Sequence, residues 1–268
     1  MTPTTRRVLT AVVLLAVFVP AALWAPAWLW QMLIAGVIGL AAYEWGRLSA
    51  YPALSARVYA VLLAACALAL PSVLAPDWAA FQMGLFLLAA GFWLVIAPLW
   101  LMAGWHFAHP LLRAAVGVVL LLPTWAALAY LHACGPGVLF GVVAIVWIAD
   151  TAAYFAGRRF GRHKLAPAIS PGKTWEGVAG ALLALVVYVA VLSALGDLPA
   201  ASLLAVVAAL LYLSILGDLF ESWIKRLSGM KDSGTVLPGH GGVLDRIDGL
   251  TSTLPVAAGI LLWLGRGA

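Results

Sequence analysis

Apolar runs of about twenty residues recur along the whole 268-residue chain, divided by short polar breaks. Nine such runs predict nine membrane-spanning helices, at about 8–24, 27–43, 57–75, 80–102, 113–132, 137–156, 177–196, 199–220 and 248–265. At 1.5 Å of rise per residue each can cross a hydrocarbon core about 30 Å thick. The expected fold is an all-α, polytopic integral membrane protein, one continuous membrane domain. Residues 1–135 supply about five N-terminal spans; residues 136–268 form a C-terminal half with two longer polar loops, 157–176 and 221–247. Glycine and proline fall inside several spans, and membrane helices tolerate them where neighbours re-satisfy the freed backbone groups.

Composition supports this class. The chain is 65% hydrophobic and 9% charged, where soluble domains carry roughly a quarter charged residues. Charge then orients the spans. With the N-terminus cytoplasmic, the inner segments hold Arg6, Arg7, Arg47, Arg57, Arg113, Arg158, Arg159, Arg162, Lys164, Lys173, Lys225, Arg226, Lys231 and Arg246, which leaves only Arg266 outside. That is the positive-inside pattern, and it favours an odd number of spans. The net charge of +5 is therefore read as cytoplasmic retention and not as nucleic-acid binding. Arg6 and Arg7 before the first run resemble a signal sequence, but a second apolar run follows almost at once, so an uncleaved first span is expected. Cys66 and Cys134 lie far apart in or beside apolar stretches and are read as small hydrophobes.

Against this apolar background one stretch is dense in charge. Residues 217–248 hold Asp218, Glu221, Asp232, Asp245 and Asp248, five of the ten acidic residues, with His240 in the turn Pro238-Gly239-His240-Gly241-Gly242. Asp218 and Ser222, four apart, share one helix face; Asp245 and Asp248 open the ninth span, where a helix dipole also favours carboxylates. Asp150 lies inside the sixth span, and an intramembrane carboxylate is a functional candidate because of its cost. Glu44, at the end of the second span, reads as interfacial, as do His106 and His109 beside Trp105. Carboxylates converging from Asp150, Asp218, Asp245 and Asp248 suit a hard cation such as Mg²⁺, and no His/Cys set has zinc spacing. Gly172-Lys173-Thr174 suggests a phosphate loop, yet Pro167 stands where the first glycine should be and no strand is expected before it. What remains is a glycine turn, Lys173 and a helix N-terminus, suited to anions.

These segments resemble the phosphatidate cytidylyltransferase (CDP-diacylglycerol synthase) family. The resemblance is carried by Ser222-Trp223-Ile224-Lys225-Arg226, Lys231-Asp232-Ser233-Gly234, Leu237-Pro238-Gly239-His240-Gly241-Gly242 and Val243-Leu244-Asp245-Arg246-Ile247-Asp248. Asp150 to Arg158 and Ser170 to Gly177 add to it; the first 130 residues match only in being polytopic. It implies transfer of CMP from CTP to phosphatidic acid, giving CDP-diacylglycerol and pyrophosphate. It further implies Mg²⁺ with K⁺ as a candidate second cation, a homodimer, and a site on the cytoplasmic side of the cell inner membrane. On this reading Asp218, Asp245, Asp248 and Asp150 serve the metal, and Asp218, Asp245, Asp248, Lys173 and Arg246 are catalytic. Ser222, Lys225, His240, Gly241, Tyr154, Ser170 and Arg158 bind substrate. A CTP-dependent enzyme of another lipid phosphate would share these motifs. A proton-coupled transporter would instead disperse its polar residues near the midplane and show inverted repeats.

Overall fold

The computed structural model describes residues 3–106, 109–196, 199–239 and 241–265. Its elements in chain order are α1 (Pro3–Trp24), α2 (Ala27–Leu48), α3 (Ala53–Val73), α4 (Trp78–Gly91), α5 (Ala97–Ala103), α6 (Pro110–Ala133), α7 (Pro136–Phe160), β1 (Lys164–Ala166), β2 (Ser170–Thr174), α8 (Trp175–Gly196), α9 (Ala200–Leu227) and α10 (Leu244–Trp263). A π turn at Phe92–Ile96 joins α4 to α5, so the described residues contain nine helical segments, as expected. Seven are long and apolar enough to cross a membrane. The other two are α1, whose apolar part is the shorter Val8–Trp24, and α10, which opens with Asp245, Arg246 and Asp248.

Helix α6 is the hub. It packs on α2, α4 and α10, and Leu121, Trp125, Ala126, Ala127 and Leu131 are fully buried along it. Gly117 makes this possible at one point: a Cβ there would overlap the Trp45 ring and the Tyr59 hydroxyl, which seat directly on the α6 backbone.

Lipid cannot hydrogen-bond a freed carbonyl or an indole N–H, so buried polar groups must find each other. Trp45 Nε1 donates to Arg113 O at 2.8 Å, Trp30 Nε1 to Leu128 O at 3.1 Å and Trp93 Nε1 to Thr251 O at 3.0 Å. The last pair has a specific cause. Pro255 lies inside α10 and has no N–H to give the carbonyl four residues earlier, that of Thr251. The indole of Trp93 supplies the missing donor from another helix. Phe92, Trp93 and Trp100 then close edge-on around Phe220, with ring centroids 5.4–5.8 Å apart, and press α9 against this layer.

Two expectations about the polar loops change. The segment 157–176 is not an open loop: α7 continues to Phe160, and β1 and β2 form a two-stranded antiparallel ribbon, Lys164 opposite Thr174 and Ala166 opposite Ser170. An all-α bundle with this one ribbon is the observed architecture, and a strand does precede Gly172-Lys173-Thr174. Even so it is not a phosphate loop, because those three residues are themselves in β2 and run straight into α8. Thr174 Oγ1 accepts from Gly177 N at 3.1 Å and so caps α8. The segment 221–247 is shorter than expected because α9 extends to Leu227, which makes Glu221, Ser222 and Lys225 helical.

Candidate active site

Small residues bring the acids together. Where α9 crosses α10, a Cβ on Gly217 would lie 2.5 Å from Ser252 Oγ and 2.6 Å from Asp248 O, and one on Gly249 would lie 2.8 Å from Ser214 Oγ. Gly249 also faces Val146 of α7, 3.2 Å from the same imagined Cβ. Backbone approach this close needs glycine, as in membrane helix packing generally. It places Asp218 of α9 beside Asp248 of α10, one turn of α7 from which Asp150 emerges. The charges of Asp150, Asp218 and Asp248 act on one another, with Lys173 close to all three and Arg246 close to Asp150. Gly217→Ala should push the helices apart. Overpacking of this kind costs about 1–3 kcal/mol, to be read as a lower melting temperature with reduced activity; an unchanged protein would deny the close crossing its role.

The ribbon delivers the cation. Lys173 on β2 reaches Asp218, Nζ to Oδ2 2.7 Å, and Ser222 donates to the other oxygen, Oγ to Oδ1 3.2 Å. Three local ties hold the ribbon. Trp175 N donates to His163 O at 2.9 Å; Glu176 accepts from the His163 backbone and lies 2.6 Å from its Nδ1; Arg226 Nε donates to Ile169 O at 3.3 Å. Ser170 contributes through the backbone pairing with Ala166.

A second polar group forms beside the first and is knit into the protein. Asp245 Oδ1 is 2.7 Å from Lys225 Nζ, while Oδ2 accepts from Ser233 N at 2.9 Å and Gly242 N at 2.8 Å. Lys225, almost buried, also pairs with Glu221 at 3.2 Å one helical turn back. Asp245 and Lys225 therefore tie the 231–242 loop to α9 and α10; they are also the residues the sequence assigns to the metal and to substrate. Gly241, with φ of 79°, turns the chain so that its Cα faces Asp245 Oδ2. Tyr154 and Arg158 lie one and two turns along α7 from Asp150 and pair with each other, Arg158 Nη1 to Tyr154 Oη 2.8 Å. Arg246 is exposed near Asp150; Asp232 is exposed in the loop; His240 lies outside the described residues.

Sequence reasoning missed Glu44. It is 1% exposed, not interfacial. Its carboxylate accepts from Val243 N at 3.0 Å, Leu244 N at 2.8 Å and Ser233 Oγ at 3.0 Å, so it caps α10 from the N-terminal half of the chain. Gly234 and Gly242 lack the Cβ that would collide with it. The available signal was a lone acid in the second apolar run opposite a glycine-rich loop. The helix dipole role assigned to Asp245 and Asp248 belongs largely to this residue.

Among the described residues, no three His, Cys, Asp or Glu side chains approach closely enough to hold a metal by themselves. The donor set still fits a Mg²⁺ that brings water and substrate phosphates, since such sites use one or two carboxylates. Asp218 and Asp248 would hold it, with the Ser222 hydroxyl and Asp150 beside them.

A polytopic helical protein with acids, a lysine and a glycine-rich turn gathered at one end of its bundle is built as a membrane-embedded enzyme acting on phosphates. The chain belongs to the cytidylyltransferase family, whose model matches residues 5–264. It is 40% identical to a phosphatidate cytidylyltransferase of Pseudomonas aeruginosa over 98% of both chains. It is 44% identical to that of Haemophilus influenzae over 44% of this chain and 43% of that one, and 42% identical to that of Thermotoga maritima over 43% and 46%. The family resemblance read from about 140 to 265 thus extends over nearly the whole chain.

Proposed function

We propose that this protein transfers the CMP unit of CTP to phosphatidic acid, forming CDP-diacylglycerol and releasing pyrophosphate, as its relatives' names suggest. The observation that carries the reading is the Asp218–Lys173–Ser222 set beside Asp248 and Asp150 at one end of the bundle. An oxygen of the phosphatidate monoester attacks the α-phosphorus of CTP. The new P–O bond forms as the bond to the β-phosphate bridging oxygen breaks, and pyrophosphate leaves with that electron pair. The attacking oxygen is already ionised, so no strong general base is required. The obstacle is bringing two anions together, and catalysis is positioning with charge neutralisation. Lys173 exchanges Asp218 for a substrate phosphate, Arg246 sits where it can hold another, and Ser222 keeps the Asp218 carboxylate oriented.

When bound, Mg²⁺ on Asp218 and Asp248 would supply further neutralisation of phosphate charge. K⁺ as a second cation and a homodimeric assembly are taken from the resemblance. A cytoplasmic-facing site in the inner membrane is supported by the placement of the basic residues. It is also supported by Thr10, whose hydroxyl donates to Pro238 O at 2.8 Å and so sets the N-terminal end of α1 beside the site loop.

The test is a panel of nucleoside triphosphates against lipid phosphates, with pyrophosphate release as readout. CTP with phosphatidate should be the best pair by a wide margin; preference for an isoprenoid lipid phosphate would overturn the substrate assignment. EDTA should abolish the activity and added Mg²⁺ restore it, and indifference to chelation would remove the metal from the reading.

A further inference from the structure

The far side of α9 carries a feature that nucleotidyl transfer leaves unused. A cavity of about 140 Å³ is lined by Ser49 after α2, His106 before α6, Arg113 in α6, and Ile224, Leu227 and Ser228 of α9. At 100° per residue, Ile224 and Leu227 lie about 120° and 180° around the helix from Asp218. The cavity and the acid cluster therefore occupy different faces of the same helix end.

Its walls are constructed. The Trp105 carbonyl accepts from two indoles, Trp100 Nε1 at 3.0 Å and Trp223 Nε1 at 3.3 Å, which fixes the chain next to His106. The His106 ring lies 6.1 Å from that of Trp223. Arg113 Nη1 donates to Ser49 O at 2.6 Å, which sets the guanidinium at the cavity wall. That carbonyl is presented by a helix-ending turn, Ala50 N to Arg47 O at 3.0 Å and Tyr51 N to Gly46 O at 2.9 Å, with Ala50 at φ 61°. The position normally takes glycine, and an alanine held there costs about 1–2 kcal/mol.

The ionisable groups of the lining are one-sided. The Arg113 guanidinium and the His106 imidazole meet there against the apolar walls of Leu48, Ile224 and Leu227. The Ser228 hydroxyl is turned onto Leu48 O and Ile224 O, and among the described residues no carboxylate lines the cavity. Such a set selects an anion, and Arg suits phosphate in particular. The volume holds a tetrahedral oxyanion and is well below the roughly 300 Å³ at which sites for whole small molecules begin. Nearby in sequence, the apolar side chains of Met102, Trp105 and Leu111 are exposed at 84%, 49% and 73%, and could meet the acyl chains of a lipid whose phosphate the cavity holds. We infer that this cavity binds the phosphate group of an anionic phospholipid, at a site separate from the one that performs the reaction.

The test uses the full-length protein in nanodiscs and reads the rate at which diethylpyrocarbonate modifies His106, by mass spectrometry. Three samples are compared: phosphatidylcholine alone, phosphatidylcholine with one-third phosphatidylglycerol, and phosphatidylcholine with added inorganic phosphate. His163, whose side chain is 78% exposed, reports any general effect of surface charge in the same digest. Phosphatidylglycerol should slow modification of His106 at least about fivefold while His163 changes less than about twofold, and Arg113→Gln should abolish the difference. Leu227→Glu, which puts a carboxylate into the cavity from the end of α9, should abolish it as well and serves if Arg113→Gln does not fold. Protection by inorganic phosphate but not by the lipid would overturn the lipid source and leave a free-phosphate site. Equal rates in all three samples, or protection that survives both variants, would overturn the site itself.

Discussion

Asp218→Asn lowers the turnover number by about 10²–10³-fold while leaving the protein folded. The expectation rests on where the carboxylate sits. Its two oxygens are divided between Lys173 and Ser222, and the side chain is still 33% exposed. Asparagine matches it in shape, so the α9–α10 crossing at Gly217 is undisturbed, and only the negative charge is lost. An ion pair with this much solvent access contributes about 1 kcal/mol or less to stability, so the melting temperature should move by a few degrees at most. The effect belongs to the reaction, where Asp218 would orient Lys173 and hold a cation against phosphate oxygens. Asp245→Asn provides the contrast. That side chain is 7% exposed and accepts from Lys225, Ser233 N and Gly242 N; Lys225 keeps Glu221, and weakening these buried bonds costs about 1–3 kcal/mol. It should lose thermal stability along with activity. Steady-state kinetics beside thermal unfolding in detergent separates the two variants, and near-normal turnover in Asp218→Asn would dismiss it from the reaction.

The second large effect lies outside the acid cluster. Glu44→Ala removes the acceptor of three buried donors at once, the amides of Val243 and Leu244 and the hydroxyl of Ser233. Each buried donor left unpaired costs about 1–3 kcal/mol, so the sum is at least about 3 kcal/mol. Glu44 is 1% exposed, so solvent does not reach the position its carboxylate vacates unless the packing around it opens. The loss falls on the loop 231–242 and on the first turn of α10, which carry Asp245 and Asp248, so activity should fall with stability. Glu44→Gln keeps the shape and one acceptor oxygen but turns an amide toward donors, and it should fall between. Melting temperature and turnover measured on both variants check the order wild type, Gln, Ala; an Ala variant as stable as wild type would deny Glu44 its capping role.

Both variants also mark the limit of what the chain discloses before it folds. The number and approximate bounds of the helices were legible because in a bilayer hydropathy alone decides which segments cross. The alternation of basic residues was legible for the same reason. The α9–α10 region was legible as a candidate site because five of the ten acids gather there in so apolar a chain. The ribbon 164–174 was not, since three- and five-residue strands carry too short a pattern to register against flanking turns. The extension of α9 to Leu227 was missed because its last turns are polar, and hydropathy ends where the lipid does.

Sequence by itself determined the class of protein, the number of its helices, the family and most of the residues from which a candidate site is drawn. Only the tertiary structure decided how that set divides. Asp218, Asp248 and Asp150 face one another with Lys173 because glycines at 217 and 249 let three helices touch. Asp245 and Lys225, alike in sequence to the others, are paired with each other, and Asp245 also accepts from the loop amides of Ser233 and Gly242. Glu44, some two hundred residues away, became part of the same construction because its carboxylate accepts the first amide donors of α10. Composition records which charges exist; which of them remain available for chemistry depends on the partners that packing supplies.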